Sequence, residues 1–306
     1  MKKPTYIHAA ILGISLVLMS SSALSWTPDP EPPGPVPEPC NTDCSQGPYP
    51  TTGSVEANMG PFSISSVSVP WTVSGFGGGT IYYPSSGTTG SLGAIALIPG
   101  FLGPEWTISA WGERLASHGF IVITVATNAV TDQPDSRATQ LSRALDHVII
   151  ESGSTSSPIY GMVDPNRLGA MGISMGGGGT LKLTSDRTLS AAVPMVPWYL
   201  GFNDFESIDT PTLIIGCEND TIAPVALHSI PFYNAISDDV DKAYLEMNNG
   251  SHGCVAGLTN VDILGKYAVS WMKRFIDNDQ RYDQFLCGPN HTAPFSVSDY
   301  RDNCDY

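Results

Sequence analysis

Residues 94–98 (A-I-A-L-I) and 120–125 (F-I-V-I-T-V) are nearly unbroken apolar runs. Runs of this length without polar alternation fit strands covered on both faces, the environment of a parallel sheet. Residues 168–171, 191–196, 212–216 and 242–247 read as further strands. Residues 63–69 (S-I-S-S-V-S-V) alternate in part, as a half-exposed strand does, and residues 78–84 (G-G-T-I-Y-Y-P) read as its hairpin partner. Between the strands, apolar positions recur at helical spacing. Ile108, Trp111 and Leu115 share a face of 106–118, and Leu141, Leu145, Val148 and Ile149 share a face of 136–151. A last helix is expected over about 261–276. Strands alternating with helices after an opening hairpin predict an α/β fold, with a mostly parallel central sheet flanked by helices on both faces.

The ends of the chain follow different rules. Lys2 and Lys3 precede an apolar stretch, 9–19, and Ala23-Leu24-Ser25 places small residues before Trp26. This is the pattern of a secretory signal peptide over 1–25, too short to span a membrane comfortably. Seven prolines between Thr27 and Cys40 make 26–46 an extended linker that cannot pack a core. The remaining 47–306 is long enough for one large catalytic domain. The chain carries 14 basic and 29 acidic residues, a formal net charge of -15. So acidic a protein repels phosphate backbones, which excludes nucleic acid as a partner and points to a neutral substrate or a saline habitat.

The candidate chemistry lies in Gly172-Ile173-Ser174-Met175-Gly176, which reads G-x-S-x-G between an apolar strand and a helix-capable segment. Such a turn projects its serine hydroxyl above the sheet, where a base can reach it. Serine is a weak nucleophile until a neighbouring base takes its proton, and that base needs a third group to fix its tautomer. The α/β-hydrolase order is serine, acid, histidine. His252 follows a strand and the turn Asn249-Gly250-Ser251, where the histidine loop belongs. His118 and His147 precede the elbow, His228 sits close behind the acid loop, and His291 lies in the tail. Asp220 ends the strand 212–216, at the strand end where sites form in open sheets, and Glu218 on the same loop is the fallback. Oxyanion donors are expected from the backbone N–H of Met175 and, in the loop Pro99-Gly100-Phe101, that of Phe101. Phe101, Met175, Trp198 and Ile222 offer an apolar surface around the serine, with a core position as the lesser alternative for Trp198.

Six cysteines allow fifteen pairings. Cys217 lies close to Asp220 and Cys254 close to His252, so a Cys217–Cys254 bridge would join the acid loop to the histidine loop. Cys287–Cys304 would pin the C-terminal tail. Cys40–Cys44 is left to pair locally, with a metal site as its rival, though no histidine lies nearby.

Taken together, these segments resemble the bacterial polyesterase, cutinase-like and PET hydrolase group of the α/β-hydrolases, related to the dienelactone hydrolases. The similarity runs from about Gly47 to the C-terminus. It is carried by residues 75–84 (G-F-G-G-G-T-I-Y-Y-P), 115–120 (L-A-S-H-G-F), Asp132-Gln133-Pro134, 174–178 (S-M-G-G-G), 217–220 (C-E-N-D), Ile222-Ala223-Pro224, 250–254 (G-S-H-G-C) and 271–275 (W-M-K-R-F). The cysteines beside Asp220 and His252 resemble those of the subgroup with an extra active-site disulfide. The resemblance implies a triad of Ser174, Asp220 and His252. It also implies Phe101 and Met175 as oxyanion and wall residues, with Trp198 and Ile222 lining the acyl site. Ile173 stands where relatives usually carry tryptophan or histidine, and Phe101 where some carry tyrosine; an aliphatic residue at 173 changes the shape and polarity of the subsite floor.

The expectation is a secreted, monomeric serine hydrolase. It cleaves acyl esters and polyester chains, cutin-like or aromatic such as poly(ethylene terephthalate), through an acyl-enzyme, with no cofactor, no metal and no stable membrane insertion. A triacylglycerol lipase or small-ester carboxylesterase is the enzyme alternative, separated by comparing polyester film with tributyrin. A non-catalytic surface-binding hydrolase fold is the alternative from another class, separated by labelling with a serine-directed phosphonate.

Overall fold

The structure is a computed structural model that describes residues 1, 44–200, 205–255, 261–291 and 295–304. The chain divides into a segment, 1–32, and a compact unit, 33–306, and the described elements belong to the second. The expected signal peptide and most of the proline-rich segment lie outside the described residues.

A nine-stranded sheet forms the centre among the described residues. Its strands are β1 (Ile64–Val69), β2 (Gly79–Pro84), β3 (Leu92–Ile98), β4 (Ile121–Val125), β5 (Val163–Ile173), β6 (Ala191–Met195), β7 (Thr212–Cys217), β8 (Lys242–Met247) and β9 (Val297–Asp302). The spatial order is β1-β2-β4-β3-β5-β6-β7-β8-β9. The six strands from β4 to β8 run parallel, and the hairpin β1–β2 and the edge strand β9 are antiparallel. The helices are α1 (Thr52–Glu56), α2 (Ser109–Ser117), α3 (Pro134–Ser152), α4 (Met175–Asp186), α5 (Ser229–Ala235), α6 (Val261–Ile276) and α7 (Asp283–Leu286). This is the α/β-hydrolase arrangement.

The alternation hidden inside the apolar runs becomes visible in the packing. All seven residues of β3 are buried. Ile95 and Leu97 join the core beneath α2 and α6, with Leu115, Trp271 and Met272. Ala94, Ala96 and Ile98 join the core beneath α3, with Leu141, Leu145 and Val148. A period of two thus supplies both faces at once, which is why the run carries no polar position. A third cluster, with Leu181, Ile214, Phe232 and Tyr244, seats α5 near the far edge.

Three features depart from the hydrophobic pattern. β5 begins at Val163, earlier than its apolar run, because Asp164 and Arg167 enter the interior as charges. Arg167 donates to Asp164 at 3.0 Å and to Asp277 at 2.9 Å, and Lys273 pairs with Asp277. β9 reads V-S-D-Y-R-D and is half-exposed, an edge strand polar enough to escape an apolar search. At the other end, Cys44 and Gln46 are already buried in the body, within the stretch expected as linker. The Cys44 N–H donates to the Asp277 carbonyl at 3.1 Å, and Gln46 exchanges hydrogen bonds with the backbone of Thr89. The packed unit therefore extends at least back to Cys44.

His118 caps α2 and is 3% exposed. Burial, reinforced by nearby Lys273 and Arg114, pushes its imidazole from 6.5 down to about 3. A depressed imidazole means that the unfolded chain takes up the proton first, so stability from this group is lost as pH falls below 6.5 toward 3. Between pH 7.5 and pH 5 the loss attributable to His118 amounts to about 2 kcal/mol. Urea unfolding of the His118→Gln variant at both pH values is expected to show a smaller acid loss by about that amount. An unchanged pH slope would contradict it.

Candidate active site

Ser174 occupies the junction of β5 and α4 with φ 57° and ψ -119°, a conformation L residues rarely adopt. The turn is tight because α4 starts one residue after the strand-to-helix corner. A Cβ on Gly172 would run into the Gly176 backbone, and one on Gly176 would lie 2.6 Å from the carbonyl oxygens of Ile98 and Pro99. Glycine at both positions lets the helix close on the strands. Three main-chain hydrogen bonds hold the strained residue. The Ser174 N–H donates to Met195 at 2.9 Å, and its carbonyl accepts from Gly178 and Trp198, each at 2.9 Å. Strain that the surroundings over-determine in this way is typical of functional turns.

Asp220 and His252 reach the same spot from the loops after β7 and β8. The Asp220 carboxylate is fully shielded from solvent. Its Oδ1 accepts the N–H groups of Ile222 and Ala223, both at 2.8 Å. Its Oδ2 lies 2.6 Å from His252 Nδ1, and His252 Nε2 lies 2.9 Å from Ser174 Oγ. A carboxylate can only accept, so Nδ1 carries the ring proton and Nε2 offers its lone pair to the serine. Glu218 faces elsewhere, accepting the N–H of Asn249 at 2.7 Å.

Cys217, at the end of β7, and Cys254, beside His252, form a disulfide across 37 residues of sequence with 6.4 Å between Cα atoms. Cys287 and Cys304 are likewise bonded. Cys44 is disulfide-bonded, and Cys40, its expected partner, lies outside the described residues. Closing a loop the length of that between Cys217 and Cys254 contributes up to about 4 kcal/mol by removing entropy from the unfolded chain. Replacing Cys217 and Cys254 together with alanine is expected to lower the unfolding free energy by about 2–4 kcal/mol in chemical denaturation. A denaturation midpoint equal to that of the parent would count against this.

The loop after β3 passes close to Ser174. A Cβ on Gly100 would lie 2.9 Å from Ser174 Cβ, so Phe101 enters the site directly from that contact. Met175 opens α4, whose first-turn N–H groups have no partner within the helix. Phe101 and Ile222 are 48% and 59% exposed, leaving an open apolar rim. Met175, Ile173 and Trp198 are half-buried, and Ile173 packs partly on the core beneath α2 and α6.

Two residues of this neighbourhood stand beside no catalytic motif. His228 is buried and stacks on Trp198, with centroids 6.2 Å apart and planes inclined by 28°, while meeting Phe232 edge-on at 5.8 Å. Burial holds its imidazole below the ordinary value, so it stays neutral near pH 7. Arg137 is fully buried and donates to the Pro99 carbonyl in the loop after β3. Its clue is positional: Arg137, Gln140, Leu141 and Ala144 lie on one buried stripe of α3, so two polar side chains sit where the helix faces the core.

Residues 40–305 match the family model described as PET hydrolase-like. The chain belongs to that family. Among its relatives, Cutinase 1 of Thermobifida cellulosilytica is 50% identical over 264 residues, covering 85% of this chain and 98% of the cutinase. The cutinase of Thermobifida fusca strain YX is 50% identical over 264 residues, 85% of either chain. Bis(hydroxyethyl) terephthalate hydrolase of Streptomyces coelicolor is 46% identical over 275 residues, 89% of this chain and 86% of that enzyme. This PET hydrolase-like chain is thus an ester hydrolase. Among the described residues, no helix is long and apolar enough to cross a membrane.

Proposed function

We propose that the chain is a secreted, monomeric serine hydrolase of polyesters, with Ser174 as nucleophile, His252 as general base and acid, and Asp220 as the group that orients the imidazole. The observation that carries the reading is the unbroken line from Asp220 Oδ2 through His252 to Ser174 Oγ, with steps of 2.6 and 2.9 Å. Ser174 Oγ attacks the ester carbonyl carbon while its proton passes to His252 Nε2. The carbonyl oxygen gains the negative charge, and the backbone N–H groups of Met175 and Phe101 stabilise it. Collapse of the tetrahedral species breaks the C–O bond, and the alcohol leaves with the proton from His252. Water, deprotonated by the same imidazole, then releases the acid and restores the serine.

The open rim of Phe101 and Ile222 favours a long chain over a substrate that must be enclosed, and in this reading Trp198 and Ile173 meet its acyl group. The names of the cutinase and terephthalate hydrolase relatives support the same substrate class. In this reading residues 1–25 form the leader and the proline-rich stretch after them the linker, while the catalytic domain begins no later than Cys44 rather than at residue 47.

The mature protein incubated with polyester film, tributyrin and p-nitrophenyl butyrate tests the assignment. Soluble acid released from film is the expected result. Turnover of tributyrin with no release from film would favour the lipase alternative, and failure of the wild-type protein to react with a serine-directed phosphonate would remove the mechanism.

A further inference from the structure

Arg137 sits one turn into α3 and exposes none of its surface. Its guanidinium donates to three main-chain carbonyls: Nη1 to Pro99 at 2.9 Å, Nη2 to Val130 at 3.0 Å and Nε to Asp132 at 2.8 Å. Pro99 stands two residues before Phe101. Val130 also accepts the N–H of Leu102 at 2.8 Å, so the segment just after Phe101 is tied to the same guanidinium. The peptide N–H of Phe101 is therefore held from both sides, directly through Pro99 and through Val130 by way of Leu102.

The second oxyanion donor refers to the same side chain. A Cβ on Gly179 of α4 would lie 2.9 Å from Arg137 Cβ, so the arginine stem rests against the helix whose first residue is Met175. The loop that receives the guanidinium is itself braced. Asp132 Oδ2 accepts from Ala129 N at 3.0 Å and from Gln140 Nε2 at 2.9 Å, and Gln140 Oε1 accepts from Asn128 N at 2.8 Å. Burying a cation is costly, and an apolar side chain would fill the space at no such cost. What the guanidinium supplies is a rigid, planar fork that fixes three carbonyls at once, which lysine cannot do.

We propose that Arg137 is a positioning residue for the oxyanion hole, setting the Phe101 N–H against that of Met175. This rests on the serine-hydrolase reading of Ser174, Asp220 and His252. Burial lowers the guanidinium to about 10, so the fork remains charged throughout the neutral range. Donors to an oxyanion act only within a narrow distance window, and losing one costs roughly 10²–10³ in rate. Partial displacement through Arg137→Lys is therefore expected to lower kcat about 10- to 100-fold, with KM changed by less than about threefold.

The test compares Arg137→Lys with the wild-type enzyme, active sites counted by phosphonate titration, on a soluble ester and on its thionoester. Sulfur does not fit a site shaped for oxygen, so the wild-type enzyme discriminates against the thionoester, and the variant is expected to discriminate less. Wild-type kcat, or equal losses on both substrates, would overturn the proposal. Should Arg137→Lys fail to fold, Gln140→Met decides: it loosens the same loop without touching the buried cation, and an unaltered oxygen-to-sulfur preference overturns the idea while a reduced one supports it. Wild-type protein that neither titrates nor turns over esters would instead sink the serine-hydrolase reading itself.

Discussion

Replacing Ser174 with alanine is expected to reduce kcat on p-nitrophenyl butyrate by on the order of 10⁶, leaving only what the oxyanion donors and binding contribute. The substitution is clean. Ser174 is held by main-chain hydrogen bonds to Met195, Gly178 and Trp198, none of which involves the hydroxyl. Alanine meets the same steric demand at φ 57° as serine, so fold and melting behaviour are expected to match the parent closely. Steady-state kinetics together with circular dichroism checks both halves of the statement. Retention of more than a few per cent of the ester turnover would show that another group performs the attack.

Asp220→Asn is expected to lower kcat by about 10⁴, through the proton rather than through the shape. Oδ1 of the carboxylate accepts two backbone N–H groups, those of Ile222 and Ala223. An asparagine keeps its carbonyl oxygen there, which turns its NH₂ toward His252 Nδ1. The imidazole must then accept at Nδ1 and carry its proton on Nε2, where it can no longer take one from Ser174. KM is expected to stay near the parent value because the carboxylate is shielded from the rim where substrate lies. Activity within tenfold of the parent would mean that the imidazole does not depend on Asp220 for its tautomer.

The strands that sequence periodicity marks most clearly are those buried on both faces. β3 and β4 read as unbroken apolar runs because both faces contribute to a core. β9 escapes because an edge strand needs only one covered face and here carries Asp299, Arg301 and Asp302. α5 escapes because Pro231 punctuates a seven-residue helix, although proline is tolerated in a first turn. At the site, the serine, acid and histidine each stand beside a local signal: an elbow, a strand end, a small-residue turn. Arg137 has no such marker. Its partner Pro99 is 38 residues distant in sequence, and an arginine in a helical segment ordinarily faces water. The stacking of His228 on Trp198 is likewise a product of tertiary folding, since 30 residues of chain separate two groups that meet only when β6 and α5 are in place.

The bond between Cys217 and Cys254 makes the carboxylate and the imidazole a single covalently closed unit, whereas the hydroxyl is carried by a different part of the sheet, at the end of β5. Warming that loosens β7 and β8 carries the pair away together. The order of thermal failure expected from this is that Ser174 parts from His252 before His252 parts from Asp220.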